Sequence, residues 1–189
     1  NSTMLSSSSA SVVYKRQDLD SMPSIRPAFK KDGTVTAANA SKINDGAAAL
    51  VLTTAEQAEQ LGVRPLARLV AQATVAQEPD WFTTAPVKAT EKVLEKAGLN
   101  ADDIDLWEVN EAFAAVAMAF LRELDLSMDR VNVRGGAVAL GHPIGASGAR
   151  ILVTLLHAMA ERNVRRGCAA ICLGGGEATA IIVEREVQG

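Results

Sequence analysis

Residues 135–150 read GGAVALGHPIGASGAR, a glycine-rich stretch with one histidine, His142, directly before an amphipathic pattern. Glycine lets the backbone approach a ligand or a neighbouring element closely, because no Cβ stands in the way and positive φ angles are available. In residues 147–161 the apolar side chains recur at helical spacing and fall on one face. The stretch therefore predicts a tight loop that leads into a core-facing helix.

The remainder of the chain alternates short apolar runs with helical patterns. Strand patterns cover residues 43–54, 66–75, 104–109, 168–173 and 178–183, and helical patterns cover residues 56–61, 86–97 and 110–124. For residues 43–54 a helix is the alternative, because a short apolar run does not separate the two. Such alternation is typical of an α/β layer fold. We expect a mixed, five-stranded sheet with helices packed on both faces and a glycine turn between the last two strands.

Composition excludes several classes of partner. The chain has 189 residues, of which 48% are hydrophobic and 22% charged, as in an ordinary globular domain. Its formal net charge of -3 and its 4% of aromatic residues give no argument for binding nucleic acid. No apolar run reaches the roughly 18 residues of a membrane-spanning helix. Nucleic acid and a membrane span are therefore not expected.

Three segments are expected along the chain. Residues 1–19 begin with a serine-rich, polar, low-complexity stretch, which predicts a disordered tail or residues added to the natural chain. Residues 20–38 contain Pro23, Pro27 and a Lys-Lys-Asp-Gly turn, which indicates an extended linker. The globular domain is predicted to span residues 39–189.

The two cysteines of the chain, Cys168 and Cys172, are predicted to be reduced thiols. On a strand they would share one face at about 13 Å, taking about 3.3 Å per residue. That separation is too long for a disulfide, and the spacing is not that of a zinc site. No metal site is expected, and a cytosolic type of compartment fits best.

Three residues carry both a functional and a structural interpretation. His142 could be a fixed base or part of a structural loop, while the spacing of its glycines does not fit a phosphate-binding loop. Cys172 precedes three glycines whose N–H groups could receive an oxyanion, or it is a small buried hydrophobe. Asn110 begins a helical pattern and would first be interpreted as a helix cap.

Taken together, four segments resemble the thiolase family in order and spacing. They are NEAFA at residues 110–114, the Gly-His-Pro block at 135–150, CLGGG at 172–176, and TVTAANAS at 34–41 followed by Asn-Asp-Gly at 44–46. The resemblance runs from about residue 20 to about residue 186 and implies the C-terminal half of a thiolase, with the fold of that domain.

The resemblance implies an acyltransferase that exchanges acyl groups between coenzyme A thioesters, by thiolytic cleavage of a 3-ketoacyl-CoA or by condensation of two acyl-CoA molecules. Coenzyme A is then a substrate, and no covalently bound cofactor is expected. The nucleophilic cysteine of the family lies in the N-terminal half, and neither cysteine of this chain corresponds to it. We expect the isolated chain to be inactive and its partners to be acyl-CoA and either further copies or a chain carrying the N-terminal half.

The resemblance also assigns roles to individual residues. His142 would activate the nucleophile and face the thioester oxygen, and Asn110 would hold a water beside it in an oxyanion hole. Cys172 would be the acid and base at the α carbon, and the Gly174 N–H would contribute to a second oxyanion hole.

Two further positions would bind the coenzyme A part of the substrate: Ser41 would contact the pantetheine and Phe113 would line the same pocket. Lys42 and Glu177 depart from the family pattern, and a buried Glu177 carboxylate would raise the Cys172 pKa. Two alternatives stay open, a non-catalytic acyl-CoA-binding or protein-interaction fragment and a relative of the ketoacyl synthases. The expected compartment is the cytoplasm, with mitochondrion and peroxisome as alternatives.

Overall fold

The computed structural model describes residues 19–187, so most of the predicted tail lies outside the described residues. Its four strands form one mixed sheet. They are β1 (Arg68–Ala76), β2 (Leu106–Val109), β3 (Arg166–Cys172) and β4 (Glu177–Glu184). In the order β1-β4-β3-β2, strand β4 is antiparallel to both β1 and β3, whereas β2 is parallel to β3. The predicted hairpin of the last two strands is confirmed.

The described part of the chain also contains five α-helices and three short 3₁₀ turns, of which one helix and one turn precede β1 and the others lie between the strands. The helices are α1 (Ala55–Gln60), α2 (Ala85–Ala97), α3 (Ala114–Glu123), α4 (Ala137–Leu140) and α5 (Ser147–Glu161), and the turns are Met22–Ser24, Pro79–Thr84 and Ala101–Asp103. Gly98 ends α2 in the left-handed conformation with a φ of 65°, as its position predicts. Over residues 19–187, every helix is too short or too polar to cross a membrane.

Helices cover both faces of the sheet, which confirms the predicted α/β architecture. Cys168 and Cys172 point into a core that also contains residues of α2 and α3, whereas Ala169 points into a second core against α5. Both cysteines are free and buried. Because successive strand residues face opposite sides, one short strand serves both cores.

The expected strand over residues 43–54 is wrong, so the sheet has four strands and not five. This segment has no regular structure beyond an isolated bridge at Ile43. Val51 is 95% and Leu52 81% exposed. A strand needs a hydrogen-bonding neighbour, and within residues 19–187 none pairs with residues 47–52.

Candidate active site

The loop that holds His142 is fixed to an earlier segment of the chain. The backbone N–H of His142 donates to the carbonyl oxygen of Lys42 at 2.7 Å. Gly141 has a φ of 97°, and the amide of Asn44 fills the space that a Cβ at this position would need. Glycine adopts this conformation without strain and leaves room for Asn44. The loop therefore holds the His142 backbone in one position.

The His142 imidazole contacts two side chains through its two ring nitrogens. Nε2 lies 3.3 Å from Nδ2 of Asn110, and Nδ1 lies 2.6 Å from Oγ of Ser147. Partial burial lowers the His142 pKa, and the nearby Arg150 guanidinium lowers it further. A lowered pKa keeps the imidazole neutral near pH 7. The ring is therefore able to accept a proton from a substrate or a nucleophile.

Asn110 lies directly after β2 and is fully buried. The prediction that it caps the following helix is wrong, because α3 begins at Ala114 and its cap position, Phe113, makes no side-chain cap bond. The carbonyl oxygen of Asn39 accepts from the Ala114 N–H at 2.8 Å, so the backbone satisfies one of the N–H groups that a helix start leaves without a partner. The amide of Asn110 contacts His142 instead.

Cys172 and Asn110 lie at the carboxyl ends of the neighbouring parallel strands β3 and β2. Cys172 is the last residue of β3, and the Asn110 N–H donates to Ala170 of that strand at 2.9 Å. The Cys172 side chain is buried, and burial raises its pKa, so the group is a thiol near neutral pH. Within residues 19–187, the His142 ring makes its side-chain hydrogen bonds with Asn110 and Ser147 and none with Cys172.

Gly174 lies in the turn between β3 and β4. The turn is closed by the Leu173 N–H, which donates to the Glu177 carbonyl oxygen at 2.8 Å. Gly174 itself is exposed, and no other part of the described chain comes within 4 Å of the position of a Cβ there. Among the backbone hydrogen bonds of residues 19–187, none is donated by the Gly174 N–H. Burial of the thiol, and not the Glu177 carboxylate, raises the pKa of Cys172.

Ser41 and Phe113 are brought together by backbone pairing. The Ser41 N–H donates to the Ala112 carbonyl oxygen at 3.0 Å, and residue 40 forms an isolated antiparallel bridge with Phe113. The Phe113 ring packs edge to face against Phe29 and Phe82, with centroids 6.3 and 6.1 Å away. Both predicted binding residues thus lie at the start of α3, a few residues from Asn110.

Sequence reasoning missed two residues that support this site. Ser147 is buried at the start of α5 and touches the His142 ring. Glu111 accepts a hydrogen bond from the Val138 N–H at 2.9 Å and so satisfies one N–H group in the first turn of α4, the helix that leads into the His142 loop. Ser147 could have been noticed as a hydroxyl at the predicted start of a helix, five residues after the histidine.

A second missed feature is the charged pair of Glu108 and Arg150. Glu108 is 2% exposed and lies two residues before Asn110. Burial raises its pKa to about 7, although Arg150 acts in the opposite direction. Within residues 19–187, Oε1 of Glu108 and Nε and Nη1 of Arg150 have no hydrogen-bond partner. Of the two, the Arg150 guanidinium acts on the imidazole and lowers its pKa. In the same part of the chain, no three His, Cys, Asp or Glu side chains group as metal ligands would.

Comparison with protein families identifies the family to which this fold and this group of residues belong. The model of the thiolase C-terminal domain matches residues 63–185, and that of the thiolase N-terminal domain matches residues 6–56. The chain belongs to the thiolase family. The first family model covers the whole sheet, including Asn110, His142 and Cys172, whereas the second covers the exposed run of residues 47–52.

Individual relatives agree with the family match. The acetyl-CoA acetyltransferase of Chromobacterium violaceum is 55% identical over 166 residues, which are 88% of this chain and 42% of that protein. The crystal structure of the Bacillus anthracis acetyl-CoA acetyltransferase has a TM-score of 0.85 and 46% identity, over 87% of this chain and 42% of that one. The crystal structure of human mitochondrial 3-ketoacyl-CoA thiolase in complex with CoA has a TM-score of 0.81 and 38% identity. The match covers 89% of this chain and 42% of the human one. The chain thus spans less than half the length of these relatives.

Proposed function

We propose that this chain supplies the C-terminal part of a thiolase active site, which transfers acyl groups between coenzyme A thioesters. The observation that carries the proposal is the contact of His142 with Asn110 at the end of the sheet where Cys172 ends β3. In this proposal His142 is the base that activates the nucleophile. Asn110 and the Gly174 N–H stabilise negative charge on thioester oxygens.

The buried Cys172 fits the role of acid in the cleavage direction. When the sulfur of the nucleophile bonds to the β carbon of a 3-ketoacyl-CoA, the bond between the α and β carbons breaks and the acyl group stays on that sulfur. The departing enolate takes a proton from the Cys172 thiol. In condensation, the Cys172 thiolate takes that proton from the α carbon. Because burial raises the pKa of the thiol, the resting group carries the proton that cleavage needs.

The substrate class follows from the same resemblance. The human relative of known structure is named as a complex with CoA, and we assign acyl-CoA as substrate here. Ser41 would contact the pantetheine and Phe113 would line its pocket. No covalently bound cofactor is part of this proposal.

The nucleophile is proposed to come from a polypeptide that carries the N-terminal thiolase half. Cys168 and Cys172 both lie in β3, and burial raises the pKa of Cys168 to about 12, which suits no nucleophile. The exposed apolar run of residues 47–52, which belongs to the segment matched by the N-terminal family model, supplies a surface for that half. Further copies of the chain would complete an oligomer.

A mixing experiment tests this function. The purified chain is combined with the N-terminal half of an acetyl-CoA acetyltransferase, and thiolysis of acetoacetyl-CoA is followed. We expect activity from the mixture that neither part has alone. The matched control replaces His157, an exposed histidine of α5, and keeps the activity, whereas replacement of His142 removes it. Equal rates for the mixture and for each part would contradict the proposal.

A non-catalytic fragment that binds acyl-CoA or a partner protein is the second candidate. The observation that favours it is that both cysteines of the chain are buried strand residues. Calorimetric titration with coenzyme A, together with the mixing experiment, separates the two. Binding without turnover in any mixture would favour the second candidate.

The proposed compartment is the cytoplasm, and the process is lipid metabolism. The relatives include bacterial proteins and a mitochondrial one, so mitochondrion and peroxisome are the alternatives. Subcellular fractionation with an antibody against the chain distinguishes them.

A further inference from the structure

Ser147 contacts the His142 ring on the side away from Asn110. It is fully buried at the first residue of α5, and its Oγ lies 2.6 Å from Nδ1 of His142. The same Oγ lies 3.0 Å from the carbonyl oxygen of Pro143. A serine hydroxyl has one proton to donate and two lone pairs to accept with. Its two contacts therefore depend on which ring nitrogen of His142 carries a proton.

The three contacts of this group fit one arrangement of protons. Nδ2 of Asn110 can only donate, so at 3.3 Å it requires Nε2 of His142 to be the acceptor. A neutral imidazole has a single N–H, which must then be on Nδ1. Ser147 Oγ accepts from this N–H and gives its own proton to the Pro143 carbonyl oxygen. The Nδ1–H of His142 and the Ser147 hydroxyl then each have an acceptor.

We propose that Ser147 is a positioning residue that holds His142 in the tautomer protonated on Nδ1, so that the lone pair of Nε2 faces Asn110. In free neutral histidine the proton prefers Nε2, so the protein has to impose this tautomer. Its catalytic meaning rests on the proposed function, because a base that activates a nucleophile must present an unprotonated nitrogen to it.

The other charged groups near the ring do not select the tautomer. Arg150, one turn after Ser147 in α5, opposes a second proton on the ring. Glu108 is buried beside Arg150 and partly offsets its charge. Neither forms a hydrogen bond with a ring nitrogen of His142 in the described residues, so the choice between Nδ1 and Nε2 falls to Ser147 and Asn110.

Histidine ring ¹⁵N chemical shifts test the proposal on the full 189-residue chain. The sequence has two histidines, so the exposed His157 serves as an internal reference for His142. We expect a protonated Nδ1 and an unprotonated Nε2 for His142 at neutral pH. Because the wild-type spectrum alone decides this point, a finding of Nε2–H would overturn the proposal whether or not any variant folds.

Two substitutions then test the role of the hydroxyl. Ser147→Ala leaves the buried Nδ1–H without an acceptor, which shifts the tautomer ratio towards Nε2–H by roughly tenfold. Ser147→Cys keeps the shape with a weaker acceptor and should shift the ratio in the same direction. An unchanged ratio in folded variants would also overturn the proposal.

Thr154→Val is the matched control. Thr154 Oγ1 donates to the Arg150 carbonyl oxygen at 3.0 Å, the same backbone contact four residues earlier that Ser147 makes, but it touches no histidine. We expect wild-type ring shifts for His142 in this variant. These measurements need neither coenzyme A nor an N-terminal half, so a failure of the mixing experiment and a failure of this proposal are distinguishable.

Discussion

Two apolar runs of this chain have similar sequences and opposite surroundings. Residues 47–52 read AAALVL and residues 178–183 read ATAIIV. In the first, Val51 is 95% exposed, whereas in the second Ile182 is fully buried. The second run lies in β4, between β1 and β3, and the first has no strand beside it in the described residues. An apolar run becomes a strand only where another strand offers hydrogen-bonding groups.

The proposed catalytic residues lie in the packed part of the molecule, and the largest effect of a substitution, on kcat, is expected there. His142→Ala in the complemented mixture should lower kcat for thiolysis by about 10²–10⁴-fold, the usual contribution of a general base. Steady-state rates with acetoacetyl-CoA measure this. His157→Ala, on the exposed side of α5, should stay within about twofold of the wild type. Equal losses in both variants would mean that the effect is structural.

The difference in packing should appear directly in stability. Leu155, 1% exposed on α5, and Leu52, 81% exposed, give a matched pair. Leu155→Ala should lower the free energy of unfolding by about 2–5 kcal/mol because it leaves a cavity. Leu52→Ala should change it by no more than about 0.5 kcal/mol. Urea denaturation of the isolated chain measures both, and similar losses would contradict the exposed position of residues 47–52.

The buried Glu108 predicts a pH dependence of stability. Its folded pKa, about 7, is above the ordinary value of 4.5. The folded state therefore binds the proton more tightly, and this stabilisation is complete below pH 4.5 and is lost as the pH rises through 7. The loss is of the order of 3 kcal/mol.

Glu108→Gln should remove this dependence and unfold at higher urea concentration than the wild type at pH 8. Glu56→Gln, in the exposed helix α1, controls for the loss of one negative charge. Identical urea midpoints for the wild type and Glu108→Gln from pH 5 to pH 8 would show that the buried carboxylate is stabilised by other contacts.

The smallest effect is expected in the exposed run. Leu52→Asp should weaken association with the N-terminal half by about tenfold to a hundredfold, because burial of a leucine contributes about 1.5–3 kcal/mol. Titration of the mixture followed by activity measures it. Leu61→Asp, also exposed but outside both family matches, should associate normally. Equal association of both variants would remove residues 47–52 from the proposed contact.

Much of the fold could be predicted from local pattern. The helix over residues 147–161 has the predicted bounds, because its apolar side chains recur at helical spacing between a glycine loop and a polar end. The prediction of a strand over residues 43–54 was wrong because the local sequence pattern does not show whether another strand lies beside the run. The sheet order, which puts β4 between β1 and β3, is equally invisible in a local pattern.

The candidate site was predictable only in part. The resemblance pointed to His142, Asn110 and Cys172, and their assigned roles stay a prediction. Local reasoning made Asn110 a helix cap, because an asparagine before a helical pattern suits that role. Its contact with His142 spans 32 residues and arises from tertiary packing. Ser147 was missed for the same reason, since its partner is a side chain and not the helix backbone.

The backbone bonds of residues 39–42 with Ala114, Ala112 and His142 bear on where the polypeptide could be cut. A protease acting on the exposed stretch around Val51 would separate two covalent pieces, yet the piece ending there would still be held by these hydrogen bonds. Gly141 and the Asn44 amide would remain interlocked across the break. Circular permutation with new termini near Val51 is therefore an engineering route that leaves the surroundings of the imidazole intact.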